Sequence, residues 1–432
     1  MFSYLKQIWN SKSIRNKILF TLLIVTLYRL LTQISVPGAD IAAIQAIFNK
    51  NQILGVFSIL TGGSADNFSI LLMGLSPYIN ASIIIQLLTV VVPKLEDLKK
   101  EGESGQKKIN SYTRWLTLPL AFFQSYGMIA LLNSQSQIPI IKDIGDPLTI
   151  ITTMLTVTAG TILLVWLGEQ ITEKGISNGI SILIFTSIIS QIPQMLGQGL
   201  FLAQADESKV IPFVIMLLLT IILTTVIILV TEAQRRIPIT YAGRGVRSGS
   251  DQSHLPIRIN QAGMIPIIFA VSLVSFPAIL GQFLMRAESP WLRQMAEKMT
   301  SLFQAGGSIY MITYFLLIIG FTYFYVSIVF QPEQVAENIQ KRGGYIPGIR
   351  PGKQTAEYIG KVSNRLNLFG GIFLALVAIL PILIQGLFSS LSIGSVPLLI
   401  SGAGMIILVG TVLEVIRRIN AQLIMHDYNK FY

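Results

Sequence analysis

Few residues in this 432-residue chain could make or break bonds, and their types limit the chemistry available. There is no cysteine, which excludes disulfides, thiolate catalysis and cysteine-ligated metals. The only histidines are His254 and His426, and we expect no metal site and no cofactor. The chain has no H-E-x-x-H, no P-loop, and no G-x-S-x-G with a matching base and acid. We therefore expect a protein that is not an enzyme.

The residues best suited to binding are arginines in two glycine-rich segments. Arg244 and Arg247 lie in the polar run Gly243–Ser250, and Arg350 lies in Pro347–Lys353. Proline and glycine there favour a tight turn with Arg350 at its tip. Guanidinium groups pair with carboxylates and phosphates, so acidic protein or RNA is a candidate partner. The alternative is that these charges only set topology and contact lipid headgroups. The length of the segments favours docking.

The elements that position these arginines are membrane-spanning helices. The chain is 52% hydrophobic and only 12% charged, with a mean hydropathy of +0.64. Apolar runs of roughly 18 residues or more predict spans. We therefore predict an all-α polytopic membrane protein with ten transmembrane helices. The predicted spans are 18–36, 73–92, 115–133, 150–168, 179–199, 211–231, 262–284, 308–330, 367–387 and 397–416.

The distribution of positive charge predicts the orientation. Of the 32 Lys and Arg residues, 25 fall on the side that holds both termini and only 6 on the other. Positive residues gather on the cytoplasmic side, so both termini and the loops 232–258 and 331–366 are expected there. The basic start and first apolar run also resemble a signal peptide, but nine more spans follow and we expect no cleavage.

The outward segment 37–72 is not an ordinary loop. Its apolar stretch Ile53–Thr61 is too short to cross a membrane, and Gly62 and Gly63 interrupt it. Such a stretch must pack against protein or line a cavity. It is either a re-entrant packing segment or a stopper in a pore mouth. Arg29 is the clear charge inside a span, and we expect it to have a structural role.

From the residues alone, two function classes stay open. One is a channel or translocase core that serves a large cytoplasmic partner, and the other is a small-solute secondary transporter. The span centres lack carboxylates, which counts against proton coupling. A membrane-embedded enzyme is poorly supported because the catalytic motifs are missing. Polar residues such as Asn80 and Gln86 suit either helix packing or an interface that opens easily.

Several motifs resemble the SecY family, the channel subunits of the bacterial preprotein translocase, with its eukaryotic counterparts. Gly74–Leu88, GLSPYINASIIIQLL, resembles the second span of that family. The resemblance covers nearly the whole chain. The other matching motifs are Lys99–Gly105, Trp166–Thr172, Gly175–Ser181, His254–Pro256 and Pro347–Gly352.

The resemblance implies two inverted five-helix halves, 1–205 and 206–432, around an hourglass pore with a short plug helix at about 57–67. It implies a role for several sets of residues. The pore ring would be Leu75, Ile79, Ile180, Ile184, Ile268 and Ile407. The plug would include Phe57, Leu60, Gly62, Gly63 and Asp66. The lateral gate would include Asn80, Gln86, Ser272 and Phe276. Branched apolar side chains in a ring would resist ions by dewetting.

The resemblance also implies the partners and the location. Arg244, Arg247 and Arg350 would dock the ATPase SecA or the ribosome. SecE and SecG would be accompanying subunits, signal-sequence-bearing preproteins the substrates, and SecD/SecF and YidC further candidate partners. Membrane lipids would surround the chain in the cytoplasmic membrane. Because the chain has no P-loop, energy would come from outside it.

Overall fold

The computed structural model describes residues 2–41, 44–45, 61–135, 146–206, 209–241, 253–285, 289–303, 307–390 and 401–428. The first helices, in chain order, are α1 (Phe2–Asn10), α2 (Lys12–Leu31), α3 (Ser76–Val91), α4 (Pro93–Lys100), α5 (Glu103–Gln135), α6 (Pro147–Lys174), α7 (Gly179–Ile189), α8 (Ile192–Ala205) and α9 (Val210–Glu232). The later elements are β1 (Gln234–Tyr241), β2 (Ser253–Arg258), α10 (Ile265–Leu284), α11 (Pro290–Leu302), α12 (Ser308–Val329), α13 (Pro332–Lys341), β3 (Gly344–Tyr345), α14 (Lys353–Ser390) and α15 (Gly402–Tyr428).

Each predicted span overlaps at least one of these helices. Six described helical stretches are long and apolar enough to cross a membrane by length and composition. They are Glu103–Asn133, Pro147–Lys174, Gly179–Ala205, Val210–Glu232, Ser308–Lys341 and Lys353–Gly386. A seventh is possible if α3 and α4, which meet at a bend of 98°, are taken together. The helices of the first and last predicted spans, α2 and α15, carry more charge.

Two boundaries differ from the prediction for a clear reason. The first span was expected to reach residue 36, but α2 ends at Leu31. The chain turns there because Val36 donates a backbone hydrogen bond to Phe68 at 2.9 Å, and Ser35 bridges Ser69. The third predicted span, 115–133, is the later part of a much longer helix, α5, which already begins at Glu103.

The all-α prediction missed a small sheet. Segment 232–258 is largely a β-hairpin, in which Gln234 pairs with Arg258 and Ile239 with Ser253, and β3 adds on the other side of β1. Its residues alternate, so Ile237 and Ile239 point inward while their neighbours stay exposed. The inward isoleucines form one core with α13 and the start of α14: Ile237, Ile239, Ile257, Ile339, Ile346 and Ile359.

The chain separates into two compact units. The first contains Met1–Gln198, Ser275–Gly307 and Thr411–Tyr432, and the second contains Gly199–Val274 and Ser308–Gly410. In the first unit, α5 packs on α3 and α6, and α6 also contacts α2 and α7. In the second unit, α12 and α13 pack on α14. The expected halves 1–205 and 206–432 stay a prediction.

Candidate pore site

Four of the predicted ring residues belong to the first unit and lie on two helices. Leu75 caps the start of α3, and the Ile79 amide donates to the Leu75 carbonyl at 3.0 Å, so the two share one face. Ile180 and Ile184 are one turn apart on α7. Leu75 and Ile184 are buried, whereas Ile79 and Ile180 are half-buried. Each helix therefore presents a short apolar stripe.

An asparagine cap starts the second stripe. The Asn178 side-chain oxygen accepts hydrogen bonds from the amides of Ile180 at 3.0 Å and Ser181 at 3.4 Å. A side chain in this position satisfies amides that have no partner inside the helix. Gly179 lies so close to α6 that an added Cβ would be 1.8 Å from the Gly168 carbonyl oxygen. The glycines thus let α7 start directly against α6.

The remaining ring residues lie in the second unit. Ile268 is half-buried on α10, and Ile407 is 1% exposed on α15. Ser401 caps α15 by accepting a hydrogen bond from Gly404 at 3.1 Å. Met264, just before α10, lies 3.8 Å from the Cβ position of Gly410. The start of α10 therefore lies beside Gly410 of α15, about one turn beyond Ile407.

The predicted plug segment is only partly visible. Phe57 and Leu60 lie outside the described residues, as do most residues of the apolar stretch 53–61. Gly62, Gly63 and Asp66 are described and form turns. Gly62 and Gly63 have positive φ angles of 68° and 80°, a conformation that favours glycine.

Arg29, expected to be structural, contacts this segment. It lies in the last turn of α2, and its Nη1 donates to the Gly62 carbonyl at 2.8 Å. The neighbouring Tyr28 hydroxyl lies 3.3 Å from the Thr61 carbonyl and 2.6 Å from the Ser187 Oγ. Tyr28 and Ser187 are not among the predicted site residues, since nothing in the sequence distinguishes them from other span residues.

The shape of the backbone also holds the segment close to the predicted ring residues. A Cβ on Gly62 would lie 2.9 Å from the Ser187 Cα, and one on Gly74 would lie 3.2 Å from the Thr61 Cγ2. Ser187 follows Ile180 and Ile184 at helical spacing on α7 and so shares their face. Gly74 directly precedes Leu75. The Thr61–Gly62 peptide therefore touches both elements that carry ring residues in this unit.

The predicted gate residues lie on α3 and α10. Asn80 and Gln86 are half-buried on α3, and the Gln86 amide donates to the Ser82 hydroxyl at 3.1 Å. On α10, Ser272 is half-buried and Phe276 is 51% exposed. Asn80, Gln86 and Phe276 fall in the first compact unit and Ser272 in the second, because the boundary between the units lies within α10.

Arg350 lies at an exposed turn, as predicted from the Pro-Gly pattern. Gly348 and Gly352 on either side have positive φ angles of 80° and 95°. The Thr355 hydroxyl donates to the Arg350 carbonyl at 2.9 Å, and Ile346 is buried in the isoleucine core. The turn is thus fixed at both ends while its guanidinium faces outward. Arg244 and Arg247 lie outside the described residues.

The family model described as SecY matches residues 69–416. Two curated relatives are each named Protein translocase subunit SecY. The relative from Aquifex aeolicus is 38% identical over 440 residues, covering 100% of this chain and 99% of the relative. The relative from Staphylococcus epidermidis is 39% identical over 449 residues, covering 100% and 99%.

Solved structures share the fold at lower identity. One described as "The structure of a protein conducting channel" gives a TM-score of 0.64 at 17% identity, covering 96% of this chain and 93% of that one. Sec61 in the canine ribosome–channel complex gives a TM-score of 0.61 at 17% identity, covering 96% and 92%. The fold and the full-length relatives together define a multi-pass helical membrane protein of the protein-conducting channel class. The chain belongs to the SecY family.

Proposed function

We propose that this chain is a channel subunit that passes unfolded secretory polypeptides across the cytoplasmic membrane and releases hydrophobic segments sideways into lipid. The full-length match at 38% identity to a protein translocase subunit carries this proposal. The short apolar stripes on α3 and α7 suit it, because a polypeptide conduit needs a soft apolar constriction. Among the described residues no group of three or more His, Cys, Asp or Glu is placed to hold a metal.

The constriction is proposed to consist of six apolar residues. Packed branched side chains would exclude hydrated ions while yielding to substrate side chains of many sizes. A plug including 57–67 would sit against this constriction. Asn80, Gln86, Ser272 and Phe276 would form a lateral gate whose polar groups lower the cost of parting two helices. The ring would be Leu75, Ile79, Ile180, Ile184, Ile268 and Ile407.

External partners would drive transport. The chain carries no P-loop, so the proposed energy sources are SecA or a translating ribosome, with SecE and SecG as accompanying subunits. The exposed, fixed turn at Arg350 supports docking, because an arginine held in place loses less entropy when it pairs with carboxylate or phosphate. Both termini and this turn would face the cytoplasm.

A crosslinking experiment tests the pore assignment. The chain has no native cysteine, so Ile79→Cys and Ile184→Cys each give a single reactive position. A secretory precursor with one cysteine would be stalled midway through transport in vesicles. We expect disulfides between the precursor and both positions. A matched control is Ile222→Cys on α9, which is 58% exposed in the membrane-spanning part of the chain.

The outcomes separate the function classes. Crosslinks from Ile79→Cys and Ile184→Cys but not from Ile222→Cys would place a polypeptide beside the ring residues, which no small-solute transporter would do. Equal crosslinking at all three positions would show that the precursor touches the chain without following the proposed pore, and would contradict the ring assignment. Failure at both ring positions with an engaged precursor would contradict the proposed pore and reopen the transporter class.

A further inference from the structure

We propose that Tyr28, Arg29 and Ser187 form a clasp that holds the Thr61–Gly62 peptide and thereby sets how readily the plug segment leaves its resting position. The inference rests on the proposed channel function. It assigns a positioning role to three residues that neither the sequence motifs nor the proposed ring and gate include. Each step below uses contacts inside one compact unit.

The clasp is buried where most of the surrounding sequence is apolar. Tyr28 is 2% exposed, Thr61 3% and Ser187 3%. Polar groups in such a place must be hydrogen-bonded, because an unpaired group away from water is costly. Their mutual contacts therefore stabilise one particular position of the Thr61–Gly62 peptide.

The hydroxyls of Tyr28 and Ser187 have one proton each to donate. The acceptors within reach are the Thr61 carbonyl, the Leu183 carbonyl and the oxygen of the other hydroxyl. The tyrosine oxygen is 2.6 Å from the Ser187 Oγ and 3.3 Å from the Thr61 carbonyl, and the Ser187 Oγ is 2.9 Å from the Leu183 carbonyl. In the first arrangement Ser187 donates to Tyr28, and Tyr28 donates to Thr61. In the second, Tyr28 donates to Ser187, and Ser187 donates to Leu183.

Because both arrangements are available, the hydrogen bond from Tyr28 to the Thr61 carbonyl can break and form again. If the Thr61 carbonyl moves away, the two hydroxyls adopt the second arrangement, and neither is left without an acceptor. The Thr61 carbonyl keeps local donors too: the Ser64 amide lies 3.4 Å from it, and the Ser64 hydroxyl lies 2.9 Å from it and from the Leu71 carbonyl. The tyrosine contact therefore favours the resting position modestly and releases it without leaving a buried group unpaired.

The arginine supplies the stronger hold. Its guanidinium donates to the Gly62 carbonyl at 2.8 Å from the last turn of α2, where a positive charge also suits the helix end. Hydrogen bonds from charged groups are roughly twice as strong as neutral ones. If the Thr61–Gly62 peptide moved away, the half-buried guanidinium of Arg29 would lose its hydrogen bond to the Gly62 carbonyl. Arg29 therefore opposes displacement of this peptide more than Tyr28 does.

Glycine at position 62 lets the clasp close. Its φ is 68°, and an added Cβ would lie only 2.9 Å from the Ser187 Cα, so no side chain fits there. The clasped peptide consequently lies on the face of α7 that also carries Ile180 and Ile184. Residues three apart on a helix differ by about 4.5 Å in height, so Ser187 is a single turn from Ile184.

The test compares three variants that remove different parts of the clasp. Purified channel complexes in planar bilayers give the resting open probability, without added precursor. Tyr28→Phe removes only the hydroxyl and should raise the open probability roughly fivefold, the value for one neutral hydrogen bond. Arg29→Met should raise it roughly tenfold or more, because a charged donor is lost.

Ser187→Ala gives the distinguishing result. It keeps the Cβ that packs on Gly62 but leaves Tyr28 with Thr61 as its acceptor. We therefore expect the open probability to stay at the wild-type level or fall, opposite to Tyr28→Phe. The double variant should behave like Tyr28→Phe alone, since the serine acts through the tyrosine. Tyr112→Phe, at an exposed position on α5, is the matched control and should match wild type.

Two results would overturn the clasp. One is a Tyr28→Phe channel with the open probability of Tyr112→Phe, and the other is a Ser187→Ala channel that opens as much as Tyr28→Phe. Thermal unfolding of each complex checks that the variants are folded. The Ile79→Cys crosslink is run in parallel. If it succeeds while Tyr28→Phe has no effect, the clasp is wrong and the channel stands; if the crosslink fails, the channel assignment itself fails.

Discussion

Replacing Gly160 by alanine should destabilise the first unit far more than a single methyl group suggests. Gly160 lies in α6, where a Cβ would be 2.0 Å from the Ile70 carbonyl oxygen and 2.8 Å from its carbon. Real Cβ atoms essentially never approach closer than 3.0 Å, so the Ile70 carbonyl must move by about 1 Å. The methyl group meets backbone, which cannot rotate away as a side-chain tip can.

The displaced peptide is tied on both sides. The Ile70 amide donates to Ile34 at 3.0 Å, and the next residue, Leu71, is fully buried. Overpacking a well-packed interior costs typically 1–3 kcal/mol, and a strained backbone hydrogen bond adds about 1 kcal/mol. We therefore expect the free energy of unfolding to fall by about 3 kcal/mol. This corresponds to roughly a 150-fold change in the equilibrium between the folded and the unfolded state.

The chain offers a matched control in Gly127, a helical glycine on the neighbouring α5. A Cβ there meets nothing within 4 Å. Alanine is a better helix former than glycine, so Gly127→Ala should leave stability unchanged or raise it by up to about 1 kcal/mol. The assay is thermal unfolding of the purified complex, followed by tryptophan fluorescence.

The two variants should differ clearly. Gly160→Ala should lower the Tm by roughly 6–12 °C by the scaling of large domains, while Gly127→Ala should not lower it. A shared Tm for both variants would refute the close approach of α6 to the Ile70 peptide. It would also remove the support for the position of residues 64–75, which lead into Leu75.

Three further predictions concern the candidate site and its docking turn. The double variant Ile79→Gly, Ile184→Gly should leak ions through the resting channel because the apolar constriction is widened; wild-type conductance in planar bilayers would count against the ring. Arg350→Glu should block SecA-driven transport in reconstituted vesicles while the protein still inserts, and normal transport would contradict docking at this turn. Asn178→Ala should destabilise the start of α7 by about 1 kcal/mol, whereas Asn178→Asp should not; equal unfolding midpoints would show that the cap contributes little.

The transmembrane helices were the most predictable part of the fold. The eighth span was expected at 308–330, and α12 covers Ser308–Val329. Inside lipid every backbone group must be satisfied within the helix, so a long apolar run leaves little choice of structure. The predicted ends of helices were wrong where a tertiary contact determines the end of the helix. α2 stops at Leu31 because the following residues bridge Phe68 and Ser69, which no local pattern encodes.

The sheet was missed for a different reason. Ile237 and Ile239 are spaced as in a strand, but Pro238 between them counts against a strand interior, and the arginines beside them fit the charge expected of a cytoplasmic loop. The period-two spacing of the isoleucines is the signal that predicts β1. It does not predict the short β3, whose two residues pair with Thr240 and Tyr241 only because the isoleucine core brings α13 and α14 there.

The anchoring of the Thr61–Gly62 peptide cannot be predicted from the sequence, because the groups that accept hydrogen bonds from Tyr28 and Arg29 are backbone carbonyls. A carbonyl is present at every position and leaves no mark in a sequence, and the partners are 33 residues apart. The adjacent glycines are plain in the sequence, but there they indicate only a break in an apolar run. An arginine in a span and a glycine pair beyond it each have an ordinary structural explanation. The proposed function of these residues depends on the contact between them, because that contact links the end of α2 to the face of α7 that carries Ile180 and Ile184.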